Sequence, residues 1–85
     1  MDRFIVMSKR AEMPNSCMGG CNYYRVAVVE IDPSHGKEPA MISKRAKGVV
    51  SILKIWEKTY KGTTSKSSYY KALEEATKIV SMLNE

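Results

Sequence analysis

The chain is poor in the residues that carry out chemistry. It holds one histidine, one tryptophan, one phenylalanine, two cysteines and three prolines among 85 residues. With a single histidine, no clustered carboxylates and no glycine-rich phosphate loop, no catalytic set can be assembled, so a non-enzymatic protein is expected. Ser34 and His35 are neighbours, but a nucleophile–base pair needs a third orienting group and an oxyanion site, and the sequence points to neither. Cys17 and Cys21 enclose "CMGGC". The Cys-x3-Cys spacing is not a tight zinc-knuckle spacing, and His35 adds one imidazole at most, so neither a metal nor a cofactor is expected. In a reducing compartment both cysteines stay as thiols. No apolar run approaches the roughly 18 residues of a membrane span. The start of the chain has an acid at Asp2 and only four consecutive apolar residues, Phe4 to Met7, which is neither a signal nor a transit peptide. A cytoplasmic protein with no membrane partner follows as the expectation.

What is present fits one small folded domain spanning residues 1–85: 44% of the residues are hydrophobic and 27% charged. The net charge of +5 is unevenly placed. Acids and bases balance over residues 1–39, so the whole excess falls in residues 40–85. Between Lys44 and Lys71 the only acid is Glu57.

The first part reads as β. "RFIVMSKRAEM" lacks turn residues until Pro14, and "NYYRVAVVEID" is rich in aromatic and β-branched residues. Between them "PNSCMGGC" carries Pro14, Asn15, Gly19 and Gly20, so residues 1–32 are expected to form an antiparallel hairpin with a long tip. Residues 33–42, with Pro33, Gly36 and Pro39, read as a linker. In the second part Ile42, Ala46, Val49, Leu53, Trp56 and Tyr60 recur at steps of four and three, as one face of a helix does. Ser43 suits its N-cap and Gly62 its C-terminal stop. Tyr69, Leu73, Ala76, Val80 and Leu83 repeat the pattern after a second candidate cap, Ser65. Residues 43–84 are therefore expected to form an antiparallel helical hairpin, giving an α+β fold of order β-β-α-α. A two-stranded sheet is marginal alone, and the second strand is apolar on both faces. Either a further strand lies in the linker, or the hairpin meets a partner such as a second copy of the chain.

On the expected first helix, Lys44, Lys47, Lys54, Lys58 and Lys61 share one face and Glu57 lies outside it. Ser43, Lys44 and Arg45 stand at its start, where free N–H groups favour an anion. That set is the candidate nucleic-acid or anion site. Lysine outnumbers arginine, which favours backbone contact over base reading. Truncating Lys47, Lys54 and Lys58 should then weaken binding equally on unrelated sequences. Tyr24, Ile55 and Tyr70 are the candidate contacts for a protein partner.

A strand followed by two helices resembles the ribbon-helix-helix DNA-binding arrangement, which implies a dimer pairing through the strand. The linker from Asp32 to Pro39 and the extra first strand depart from that pattern, and no base-reading residue is carried over. The leading expectation is a basic module on nucleic-acid backbone. The alternative is an adaptor or inhibitor of the phage or mobile-element type, which binds a host protein, or another acidic protein surface, through the hairpin edge and tip.

Overall fold

A computed structural model of the chain describes residues 2–11, 21–64 and 66–85, and the side chains of all of these except 21, 22 and 60–64. Three strands precede one helix: β1 Phe4–Ala11, β2 Cys21–Ile31, β3 Val49–Thr64 and α1 Lys66–Leu83, with a 3-10 turn at Pro33–His35. The sheet is antiparallel in the order β1-β2-β3, with β2 in the centre. The fold is α+β, but the β-β-α-α order with a helical hairpin is wrong: the expected first helix is the third strand. The ribbon-helix-helix resemblance falls with it, since that arrangement requires two helices after the strand.

The reason lies in two β-bulges. Val28 pairs with Lys54 and Val29 with Ile52, leaving Leu53 extra; Glu30 pairs with Ser51 and Ile31 with Val49, leaving Val50 extra. Each bulge shifts the alternation by one residue. The stripe that suggests a helix is thereby spread over both sides of the strand: Val49 packs on the outer face, Leu53 is the extra residue of a bulge, and Trp56 faces α1. Composition favours the strand all the same: Val49, Val50, Ile52, Ile55, Trp56 and Thr59 are β-branched or aromatic.

Each face of β2 builds its own core. Tyr24, Val26 and Val28 face α1, where they meet Ala72 and Ala76, with Val6, Trp56, Tyr69, Leu73, Ile79 and Val80 packed around them. The two buried alanines let the helix approach the sheet closely. Asn84, just past the helix, fastens its end to β1: it donates to the Phe4 carbonyl at 2.9 Å and accepts from the Phe4 amide at 3.1 Å. On the opposite face Ala27, Val29 and Ile31 pack with Ile5, Met7, Ile42, Val49 and Ile52. Ile42 comes from the connection between β2 and β3, which folds back over this outer face. All three β2 residues there are at most 1% exposed in the single chain. The face that called for a partner is covered from within.

The connection is held by local polar contacts. Asp32 accepts from the Ser34 hydroxyl at 2.7 Å and from its amide at 2.9 Å, and these bonds hold its carboxyl below the usual range. Ser34 is thus occupied as a turn residue. His35 is packed against Gly48, and the Gly48 carbonyl accepts from the Asp32 amide at 2.8 Å. Ser43 does accept from a backbone amide, that of Arg45 at 3.2 Å, but in a turn and not at a helix start. Gly48 has φ +91, and a Cβ there would stand 2.7 Å from His35 Cδ2. Gly36 has φ +84 with open space around it. Both Gly→Ala variants meet the left-handed penalty of about 1–2 kcal/mol; only Gly48→Ala also displaces a ring. Urea denaturation is expected to show Gly48→Ala as the less stable of the two by ~1 kcal/mol or more.

Candidate nucleic-acid interface

The helix lies over β1 and β2, so the same face of edge strand β3 is left partly open beside it. In the pairing with β2, Lys54 stands opposite Val28, Trp56 opposite Val26 and Lys58 opposite Tyr24. Val26, Val28 and Tyr24 all face α1, so Lys54, Trp56 and Lys58 do too. Strand alternation, not a helical stripe, aligns these two lysines. Across the groove α1 contributes Ser68, Lys71, Ala72 and Glu75, with Tyr24 in the floor.

Trp56 organises the groove. Its ring packs against the helix-side core, and its Nε1 donates to Glu75 at 3.1 Å. The Lys54 ammonium lies 4.7 Å from the ring centroid, a cation–π contact that holds the lysine stem in place. Lys54 and Lys58 are exposed, as is Lys71. Among the described residues none of these three has a carboxylate partner. The neighbouring acids are engaged elsewhere: Glu75 with Trp56, Glu74 with Lys78 at 3.5 Å, and Glu57 on the other face with Arg25 at 2.6 Å. Three cations around one fixed indole are therefore offset by one nearby carboxylate, Glu75.

The sequence-expected site is divided by the fold. Lys54 and Lys58 come together. Ser43, Lys44, Arg45 and Lys47 lie in the connection before β3, away from the groove lining. Lys61 is on β3, but its side chain lies outside the described residues, as do Cys17, Ser65 and the rest of the "PNSCMGGC" tip before Cys21. Lys71 and Trp56 were missed. For Trp56 the signal is the alternation Lys54-x-Trp56-x-Lys58, which reads as a strand face once a strand is assigned; Lys71 sits on α1 and has no such local signal.

Of the expected partner contacts, Tyr24 is 3% exposed and is a core residue, which removes it as a surface contact. Its ring meets Tyr69 edge-on at 5.7 Å. Ile55 is 47% exposed on the outer face of β3. Tyr70 is 54% exposed, and its hydroxyl accepts from Arg10 at 3.4 Å. Among the described residues no group of His, Cys, Asp and Glu side chains is placed to hold a metal ion, and no helix is long and apolar enough to cross a membrane. Comparison of the chain with known protein families, with curated proteins and with solved structures finds no match.

Proposed function

We propose that the protein is a non-enzymatic module that binds nucleic-acid backbone through the groove between β3 and α1. The observation that carries this reading is the convergence of Lys54, Lys58 and Lys71, from two elements, around Trp56 with one acid among them. A strip of uncompensated cations beside a fixed surface attracts a polyanion and holds its phosphates. The groove favours backbone over base contact. Lysine is a point charge without arginine's planar fork. The Trp56 ring is committed to the core, to Lys54 and to Glu75, so it does not serve as a free stacking platform of the type used for single strands.

A protein partner is the second reading, favoured by the outer edge of β3, which pairs with no strand among the described residues and where Val50, Leu53 and Ile55 are exposed. Two bulges and the flanking lysines blunt that edge in the way sheet proteins avoid strand addition. The same features weigh against a homodimer through β3: an even two-fold pairing centred on Trp56 would set Lys54 against Lys58 of the other copy.

A salt titration separates the two readings. With random-sequence duplexes, the logarithm of the binding constant is expected to fall linearly with the logarithm of salt, with a slope of about −3 from these three lysines. Unrelated sequences should give the same line. A flat salt response would defeat the nucleic-acid reading.

A further inference from the structure

The outer face of the sheet carries a second feature, independent of the nucleic-acid groove. Where the connection ends its cover of the outer face, it leaves a recess of about 680 Å³. Met7, Met41 and Ile42 give it apolar walls, and Lys9, Tyr23 and Arg25 give it polar ones. That volume falls within the roughly 300–1,000 Å³ of small-molecule sites. Met41 is 60% exposed, so its thioether is available to a ligand.

The charges in the recess are not balanced. Lys9 and Arg25 are directly opposed across β1 and β2. Like charges in that relation repel. Arg25 is compensated: its Nε donates to Glu57 at 2.7 Å and its Nη2 reaches the same oxygen at 2.6 Å, while Tyr23 donates to that oxygen at 3.3 Å. The hydrogen bond that Arg25 donates to Glu57 raises its guanidinium above the ordinary value. Arg25 Nη1 also donates to the Ile42 carbonyl at 3.4 Å, so this side chain fixes the wall of the recess. Glu57 is consumed by Arg25 and Tyr23. Lys9 remains exposed, with no acid partner among the described residues. One unpaired ammonium at the rim of an apolar hollow is complementary to one acid group on an apolar body.

We infer that this recess binds a small amphipathic carboxylate, its carboxylate on Lys9 and its hydrocarbon body against Met7, Met41 and Ile42. Arg25 acts as a positioning residue that holds the connection in place. Octanoate is the probe, followed by ¹⁵N–¹H spectra of the whole chain, with octan-1-ol as its neutral counterpart. Octanoate is expected to produce saturable shifts at the amides of residues 9, 23, 25, 41 and 42. Lys9→Met keeps the apolar stem and removes the charge. It should weaken octanoate at least about fivefold, by loss of a charge-assisted contact, and leave octan-1-ol unchanged. Met41→Ser should weaken both. The inference is overturned by an absence of saturable shifts below the micelle concentration, by shifts centred on the Trp56 groove, or by equal octanoate affinity in Lys9→Met. Binding of a peptide with a terminal leucine carboxylate, but not of octanoate, would overturn it as well, since the occupant would then be a chain end.

Discussion

Replacing Lys54, Lys58 and Lys71 together by glutamine is expected to weaken binding to random-sequence nucleic acid by roughly 100-fold at low salt. The salt slope should lose about three units, one for each phosphate contact removed. Glutamine keeps the stems that cover Trp56 and the groove floor, so the folded state should survive. The control is Lys44, Arg45 and Lys47 replaced in the same way. Those three carry an equal charge but lie in the connection before β3. If binding depended on net charge alone, the two triple variants would lose affinity equally. The groove requires the first to lose far more. Fluorescence anisotropy at several salt concentrations measures both. Nothing comparable is expected from Lys9→Met, because Lys9 is on the other face of the sheet.

The largest expected effect on stability is at Ile31. It is 1% exposed and closes the outer-face core against Ile5, Ile42 and Val49. Ile31→Ala removes three carbons from a packed site and leaves a cavity, at a cost of about 3 kcal/mol. A domain of this size has only ~4–13 kcal/mol of total stability. The midpoint of thermal unfolding should therefore fall by roughly 12–24 °C, followed by circular dichroism. The position also tests the architecture. If the connection did not cover the outer face, Ile31 would be a surface residue there. Its truncation would then cost under about 0.5 kcal/mol.

The two N-terminal strands were readable because their signals agree. β-branched and aromatic residues fill β2, and no turn former interrupts it. The last helix was readable for the same reason: Tyr69, Leu73, Ala76 and Val80 repeat at helical intervals, and all four pack on the sheet. The third strand was not readable from periodicity, because Val50 and Leu53 are bulge residues. They break the alternation of two, and the helical spacing of Val49, Leu53 and Trp56 runs across the second bulge residue, Leu53. Propensity pointed to the strand while spacing pointed to the helix, and spacing misled. The error passed directly to the site. Lys54 and Lys58 lie four residues apart, and four residues return to the same side in a helix and in a strand alike. Those two lysines therefore stayed together when the element changed. Lys44 and Lys47 belong to the stripe only if the helix exists, so they left it. Lys71 joined because α1 packs beside β3's open face, a relation that no local pattern contains. Tyr24 differs from expectation through the same missing strand: flanked by β1 and β3 and packed under α1, it is 3% exposed, at the floor of the groove and not on the surface.

On the proposed reading, the lysine-bearing face of β3 and the first half of α1 form one polyanion surface. The most direct test is a ¹⁵N–¹H titration of the intact chain with a random-sequence duplex. Shifts are expected to saturate together at residues 54, 56, 58, 68, 71 and 75, including the Trp56 indole N–H, which donates to Glu75. Shifts centred instead on residues 44–47, or on the outer face at residues 9, 23 and 25, would contradict it.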